Sequence, residues 1–360
     1  MSNPKLNRKP KVLFLYSNER TTAYKEVLSG ANHGGGFWGL VHMYESGIDA
    51  EFIELEHFFS VRISKFLRSY IFKNIYFVHI FFFPKILKYD VIYTSAAFGT
   101  QLIYTLYPFK KPKWIMHDFN ITNLIGDRKT LKQKIFYWMT YRCNGIITLS
   151  KTEADKLRKI FPHLEKYIIW IPFGVDLDFF KPLSNQKKQI VLAVGRDPDR
   201  DWDMLIRIAP RINAQIIIAT KPQRVSHLQP LPSNVTVGQY SPNEFKKMYD
   251  EAKIFALPLD TSKGTNAAMG CSALFEALAM GKAMVVTNTD TISSYISDGE
   301  NGYLIDEGNE DAFVETINLL LGDDEKRKEL ENNSREFTLK NLDIHKRSEE
   351  LASYFEKIVN

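Results

Sequence analysis

The sequence predicts an α/β protein of two domains, and three observations support this prediction. A length of 360 residues corresponds to about two domains of ordinary size. Short apolar runs alternate with amphipathic segments, which is typical of parallel strands joined by helices. The alternation begins again near residue 181. We therefore predict two Rossmann-like domains facing an interdomain cleft, at residues 1–180 and 181–345, and a terminal helix at 346–360 that packs back towards the first domain.

The composition is that of an ordinary globular protein, with 44% hydrophobic and 25% charged residues. Cys143 and Cys271 provide neither a disulfide framework nor a metal-binding spacing, which favours a reducing compartment such as the cytoplasm. The N-terminal stretch MSNPKLNRKPK is charged and has no apolar segment, so we expect no secretory signal.

The net charge of +5 is distributed unevenly along the chain. Residues 1–178 contain 25 Lys and Arg against 15 Asp and Glu, whereas the remainder contains 22 against 27. A basic first half indicates an anionic partner, either a membrane surface or a nucleic acid. No RNA-binding motif is recognisable, so we expect a membrane surface and no nucleic acid.

Apolar runs in the first half predict one parallel sheet. These runs are Lys11–Ser17, Ile48–Leu55, Val91–Ser95, Lys113–Phe119, Gly145–Ser150 and Tyr167–Pro172. His117 and Asp118 lie near the end of the fourth run, and open α/β sheets bind ligands at the carboxyl ends of their strands. His117 is therefore a candidate site residue, although a lone histidine can also be a core residue.

A glycine-rich run, NHGGGFWG, occupies residues 32–39. Gly34, Gly36 and Gly39 formally satisfy G-x-G-x-x-G, and Glu54 lies about twenty residues further on, as in dinucleotide-binding proteins. That fingerprint should follow the first strand directly, and here it does not. A flexible loop that enters a helix is a further interpretation.

The segment His57–Tyr89 is rich in both cations and aromatic residues. It contains six Lys and Arg, eleven Phe and Tyr, and no Asp or Glu. Its longest uncharged stretch is far shorter than the ~20 residues that a membrane-spanning helix needs. The pattern fits a segment lying on an anionic leaflet, and it fits equally well an amphipathic helix pair whose aromatic rings are buried in the core.

The second half predicts a second parallel sheet from the runs Gln189–Val194, Gln215–Thr220, Asn234–Gly238 and Ile254–Pro258. Arg196 and Arg200 follow the first of these runs, where either cation could pair with phosphate. Alternatively, the charges of DPDRD pair among themselves in a surface loop. We interpret Asp197 and Asp199 as part of a turn and not as metal ligands.

The stretch from Asp260 to Ile305 is the most informative. A small-residue loop, Lys263–Gly270, leads into a predicted helix, Ser272–Met280, and such a loop lets backbone N–H groups approach an anion. Strands are predicted at Ala283–Thr287 and Tyr303–Ile305.

These motifs resemble the donor site of GT-B glycosyltransferases, specifically the large retaining group called family 4. LFEALAMGKAMVVT and DGENGYLI are similar to its signature, and PFGVDLDFFKP is similar to its interdomain connection. Glu276 matches the second of the family's two glutamates, and Ala268 stands where the first would be. Arg196 matches the family's arginine, and Arg200 stands where lysine is usual.

The resemblance implies a GT-B fold and a retaining, hexosyltransferase-type enzyme that uses a nucleotide-diphosphate sugar. It implies catalytic roles for His117, Arg196 and Arg200. It also implies a donor site made by Gly35, Gly36, Ser272, Ala273 and Glu276. We expect no metal ion and no other cofactor, because fixed cations and helix N–H groups can stabilise the departing diphosphate.

We expect a lipid-linked or glycan acceptor and peripheral association with the inner face of the membrane. The alanine at position 268 keeps a second hypothesis open, namely a non-catalytic membrane-surface binding protein on a degenerate GT-B scaffold. A third hypothesis is another GT-B enzyme, such as a sugar-nucleotide epimerase.

Overall fold

The computed structural model describes residues 8–16, 18–71, 79–95, 97–172, 174–183, 187–263 and 268–360. The chain divides into two compact units. The first unit comprises Met1–Ser29, Gly36–Phe173 and Ile344–Asn360, and the second comprises Gly30–Gly35 and Gly174–Asp343. The sequence pattern placed the division near residue 180 and assigned residues 30–35 to the first domain. The structure assigns these six residues to the second unit.

The first unit is built on a parallel sheet with the strand order β2-β1-β3-β4-β5-β6. Its strands are β1 (Lys11–Leu15), β2 (Asp49–Ile53), β3 (Val91–Thr94), β4 (Lys113–Asp118), β5 (Gly145–Thr148) and β6 (Ile168–Trp170). Its helices up to the division are α1 (Thr21–Leu28), α2 (Val61–Phe66), α3 (Phe83–Ile86), α4 (Phe98–Leu106), α5 (Ile121–Ile125), α6 (Leu131–Tyr141) and α7 (Lys151–Ile160).

The second unit repeats this architecture with the strand order β12-β11-β10-β7-β8-β9, again parallel. Its strands are β7 (Lys188–Val194), β8 (Gln215–Ala219), β9 (Val235–Gly238), β10 (Ala252–Leu257), β11 (Ala283–Thr287) and β12 (Tyr303–Ile305). Its helices are α8 (Trp202–Ile208), α9 (Pro242–Glu251), α10 (Cys271–Ala279), α11 (Glu310–Gly322) and α12 (Asp324–Asn341). A last helix, α13 (Ile344–Val359), belongs to the first unit.

Successive residues of the strands supply core layers on opposite faces of each sheet, because side chains alternate along a strand. In β1, Leu13 packs into one hydrophobic cluster while Val12 and Phe14 pack into another. The second of these clusters also receives Leu351 and Phe355 from α13. Burial on both faces explains why the strands are continuous apolar runs.

Two positions in the loops of the second unit require glycine. Gly270 precedes α10 with φ +84°, a left-handed conformation that favours glycine. At Gly195, just after β7, any side chain would collide with the Arg200 guanidinium. Gly195 lines the pocket described below, and Gly270 directly precedes the helix whose first turn lines it.

Within the part of the chain that the structure describes, no helix has the length and apolarity needed to cross a bilayer.

Candidate functional site

A pocket of about 370 Å³ lies at the carboxyl ends of the strands in the second unit. Residues from the turn after β7, from the start of α10 and from the segment 240–245 line it, together with Asn32 and His33. This volume falls within the ~300–1,000 Å³ typical of small-molecule sites. The location is where open parallel sheets bind ligands, because helix N-termini and turn residues converge there.

Arg196 and Arg200 both line this pocket but differ in environment. Arg196 is exposed, and it makes no ion pair with any residue that the structure describes. Arg200 is buried: its Nε donates to the Val194 carbonyl at 3.1 Å, and its Nη1 lies 3.3 Å from Asp197. Burial lowers the pKa of Arg200, and the Asp197 carboxylate opposes that shift. The pocket therefore contains one buried, hydrogen-bonded cation and one exposed cation.

The N-terminus of α10 opens towards the same pocket. Ser272 and Ala273, in the first turn, line it. No side chain caps this helix, since the residue before it is glycine. First-turn N–H groups of a helix carry partial positive charge and bind anions when no side chain accepts from them. Ser272 and Ala273 thus lie where the sequence predicted an anion site.

Glu276 lies one turn further along α10, with 16% of its side chain exposed. Its Oε2 accepts a hydrogen bond from the Tyr249 hydroxyl at 3.0 Å, and its Oε1 lies 3.8 Å from the His33 Nε2. Burial raises the pKa of Glu276 to about 7, against the stabilising effects of Tyr249, Arg200 and Arg196 on the carboxylate. One carboxylate oxygen is thus held by Tyr249, and the other faces the pocket.

Sequence reasoning missed several residues of this pocket. His33 packs edge-on against Phe180 with 4.9 Å between ring centroids, and burial lowers its pKa. Tyr240 and Phe245 contribute an aromatic wall, with their ring centroids 6.2 Å apart. The histidine directly before the glycine run was the one available signal, and nothing local to residues 240–249 indicates a contact with α10.

His117 lies in the first unit, at the end of β4, and is 2% exposed. Its Nδ1 is hydrogen-bonded to the Tyr93 hydroxyl, and its ring stacks on Phe119 and lies near Trp38. Burial lowers the pKa of His117 to about 3, so the imidazole is neutral at physiological pH. These features agree with a core histidine as well as with a site residue, and the proposed role of His117 stays a prediction.

The two glycines predicted to bind the donor, Gly35 and Gly36, fall in different units. A side chain at residue 35 would approach the His33 ring, and one at residue 36 would approach the Arg20 guanidinium. Neither glycine is among the residues found to line the pocket. Their predicted role in donor binding stays a prediction.

The dinucleotide-binding interpretation of the glycine run does not fit the structure. Helix α1 intervenes between β1 and the run, so the glycines do not form the first strand–helix turn. Glu54 accepts hydrogen bonds from the backbone N–H groups of Arg20 at 2.6 Å and Thr21 at 3.3 Å. This carboxylate stabilises the start of α1 and is not presented to a ribose.

The described residues of the segment His57–Tyr89 are partly buried and partly exposed, and membrane binding by this segment stays a prediction. Phe82 and Tyr89 are buried in the core, whereas Phe66 and Tyr70 are 55% and 69% exposed. The exposed rings lie on and just after α2, and residues 72–78 of the segment lie outside the described residues. Among the aromatic residues whose burial is described, those near the start of the segment are exposed, and Phe82 and Tyr89 near its end are buried.

Ala268, which stands where the resembled family has its first glutamate, is buried. Residues 264–267 of the loop before it lie outside the described residues. The expected small-residue anion loop over Lys263–Gly270 therefore stays a prediction.

Comparison with solved structures identifies the class of protein that this fold represents. The chain is similar to HepE from Anabaena in complex with UDP, with a TM-score of 0.67, 14% identity, and coverage of 95% of this chain and 98% of that one. It is also similar to sucrose-phosphate synthase from Thermosynechococcus elongatus, with a TM-score of 0.70, 16% identity, and coverage of 97% and 99%. These similarities confirm the predicted α/β two-domain GT-B fold.

Residues 175–337 match the model of the family described as glycosyl transferases group 1. These residues are just under half of the chain, and their match to a glycosyltransferase family agrees with the motifs quoted for the resemblance. A curated relative, spore coat protein SA of Bacillus subtilis, is 25% identical over 59% of this chain and 64% of its own length. The match thus spans less than two thirds of that relative.

Proposed function

We propose that this protein is a retaining glycosyltransferase that moves a sugar from a nucleotide-diphosphate donor to a lipid-linked or glycan acceptor at the membrane surface. One observation carries the proposal: Arg196, Arg200, Glu276 and the uncapped start of α10 line one pocket of the second unit. Solved structures of HepE contain UDP and UDP-glucose, which supports a donor of this class.

The donor diphosphate would lie between the two arginines and the first turn of α10. Arg200 is fixed by Val194 and Asp197, so it offers a pre-oriented charge, whereas the exposed Arg196 is free to close on the ligand. The N–H groups of Ser272 and Ala273 add donors on the opposite side. As the sugar departs, charge builds on the diphosphate, and these groups stabilise it without a metal ion.

Glu276 would hold the ribose hydroxyl groups. An ionised carboxylate only accepts hydrogen bonds, which suits a vicinal diol. Because Tyr249 already occupies Oε2, Oε1 is the atom directed towards the ribose. His33 lies close enough to Oε1 to keep that side chain in position.

The acceptor side of the reaction would be assembled by the first unit. The exposed groups on and around α2 comprise Val61, Ile63, Phe66 and Tyr70 together with Arg62 and Lys65. Apolar side chains beside cations, without acidic residues, suit the interface of an anionic leaflet. Cys143 and Cys271 are both buried as free cysteines, which agrees with the reducing inner face of the membrane.

A donor panel tests this proposal. Purified protein is incubated with radiolabelled nucleotide sugars of different bases and sugars, with and without a membrane lipid extract. Release of nucleoside diphosphate and transfer of label to lipid are measured together, and the anomeric configuration of the product is read by NMR. We expect lipid-dependent release with one donor and an unchanged anomeric configuration.

Three results would contradict parts of the proposal. Consumption of the sugar nucleotide without any acceptor would indicate an epimerase or a hydrolase. Binding without turnover across the whole panel would indicate the degenerate scaffold that Ala268 suggested. An inverted product would contradict retention and leave glycosyl transfer intact.

A further inference from the structure

A cluster of two histidines and one glutamate, none of which has been assigned a role above, lies in the first unit. His42 and Glu45 belong to the short helical segment Leu40–Ser46, and His345 lies in the first turn of α13. The His42 Nδ1 lies 2.9 Å from Glu45 Oε1, and the His345 Nδ1 lies 2.7 Å from Glu45 Oε2. The centroids of the two imidazole rings are 4.2 Å apart, and each ring is hydrogen-bonded to a different oxygen of the same carboxylate.

The three donor atoms are already close enough to surround one metal ion. One ligand atom from each side chain lies within 4.8 Å of the other two. Zinc–nitrogen and zinc–oxygen bonds are about 2.0–2.2 Å long, so donors around a tetrahedral zinc are roughly 3.3 Å apart. The existing N···O distances are slightly shorter than this, and small rotations of these side chains, of which His345 is the most exposed, would admit an ion.

The donor set also indicates which metal fits. Two imidazoles and one carboxylate are typical zinc ligands, whereas calcium and magnesium prefer oxygen alone. Without the metal, each Nδ1 carries a hydrogen and donates it to the carboxylate, because an ionised carboxylate can only accept. Metal binding needs that hydrogen on Nε2 instead, a change that leaves each ring neutral.

We propose that His42, Glu45 and His345 form a zinc-binding site that joins the first turn of α13 to the segment Leu40–Ser46. Three protein ligands would leave the remaining position to water. The contact joins residues 300 positions apart in the chain, so an ion there would cross-link the C-terminal helix to the first unit. The consequence is a zinc-dependent gain in the stability of that unit, because the unfolded chain has no preformed site.

Zinc titration of the untagged, full-length, chelator-treated protein tests the site. Isothermal calorimetry should show one zinc ion per chain, and zinc should raise the Tm. Each of His42→Asn, Glu45→Gln and His345→Asn should weaken binding at least tenfold and abolish the Tm shift. Cobalt provides a spectroscopic check, since its visible absorption should appear with the wild type and disappear with His345→Asn.

The matched control is His227→Asn. His227 and Asp203 form an exposed histidine–carboxylate pair in the second unit. No third metal-binding side chain joins this pair among the residues that the structure describes. Its replacement should leave zinc affinity and the Tm shift unchanged. His345 is 47% exposed, so its asparagine variant should fold like the wild type, which circular dichroism verifies. Wild-type protein that binds no zinc, or zinc binding that survives in His345→Asn, would overturn the proposal.

Discussion

The two domains share an architecture of six parallel strands but use the carboxyl ends of those strands differently. In the second domain, the turn after β7 and the start of α10 surround an open pocket with the charged groups Arg196, Arg200 and Glu276. In the first domain, β4 ends in His117 and Asp118, which are both almost fully buried, and aromatic rings pack against His117. The described residues at the carboxyl ends of these strands thus line a charged pocket in one domain and are enclosed in the other.

This difference shows how burial and neighbouring charges together set the protonation of a residue at the carboxyl end of a strand. Burial lowers the pKa of His117 to about 3, and burial together with Glu153 raises the pKa of Asp118 to about 7. Both groups are therefore less charged in the folded protein than in water. In the second domain the two arginines favour the ionised form of Glu276 and partly offset the same effect.

The largest expected effect tests whether the enclosed end of β4 is functional. If His117 lines the sugar site, His117→Ala should lower turnover by roughly 10²-fold or more while the protein stays folded, because a neutral imidazole can donate to developing charge. Turnover and Tm are measured on the same preparations. His163→Ala, at an exposed histidine of the same domain, is the control and should leave both unchanged. Parallel loss of activity and thermal stability would instead identify a core histidine.

The next effect concerns the open pocket. Glu276→Gln should weaken the binding of nucleoside diphosphate by about ten- to hundredfold, since a charged hydrogen bond contributes roughly 1.5–3 kcal/mol. Arg196→Ala and Arg200→Gln should also weaken it. At position 200, glutamine removes the charge and leaves less empty space beside Val194 and Asp197 than alanine would.

Calorimetry with a matched control separates a ribose contact from a helix-dipole effect. Glu325 is an exposed acidic residue in the first turn of α12 and is remote from the pocket lining. Glu325→Gln should change nucleotide affinity by less than about twofold. If the three pocket variants also remain within twofold of the wild type, the donor binds elsewhere.

Removing cations from the exposed part of the segment His57–Tyr89 should weaken membrane binding by about as large a factor as the pocket variants weaken nucleotide binding. Each cation near an anionic leaflet contributes about 1 kcal/mol, so the double substitution Arg62→Ala/Lys65→Ala should weaken liposome binding roughly thirtyfold. Co-sedimentation with anionic vesicles should also decrease as salt rises.

The control for charge removes two exposed cations of the second domain, Lys221 and Arg224. Their double alanine variant should bind vesicles like the wild type. A wild-type protein that ignores both anionic and neutral vesicles at low salt would show that the exposed aromatic residues serve another purpose.

The smallest effect is a pH dependence of donor affinity. Because the pKa of Glu276 is raised to about 7, the carboxylate is mostly ionised at pH 8 and mostly protonated at pH 6. Donor affinity should therefore fall about tenfold as the pH is lowered from 8 to 6. A nucleotide sugar is the suitable ligand, because its diphosphate has no terminal phosphate that titrates near pH 6. Glu276→Gln should have a flat profile, and an equal slope in both proteins would exclude Glu276 as the titrating group.

Local patterns in the sequence determined most of the architecture. β11 and β12 occupy the predicted residues, and α10 begins one residue before its predicted start at Ser272. Such elements follow from apolar periodicity, glycine positions and helix ends, all of which act within a few residues. The same patterns placed Arg196 just after a strand and Ser272 and Glu276 near the start of a helix. Because the carboxyl ends of parallel strands lie at one edge of a sheet, these residues line the same pocket.

Only the tertiary structure decided the contacts between distant parts of the chain. His33 reaches Glu276, Glu54 holds the start of α1, and Glu45 meets His345, although no local pattern pairs these residues. The basic and aromatic composition of His57–Tyr89 likewise did not show which rings are buried. Phe82 and Tyr89 pack in the core, whereas Phe66 and Tyr70 are exposed. Burial and pairing over such separations depend on how complete elements pack, and that packing is a property of the whole fold.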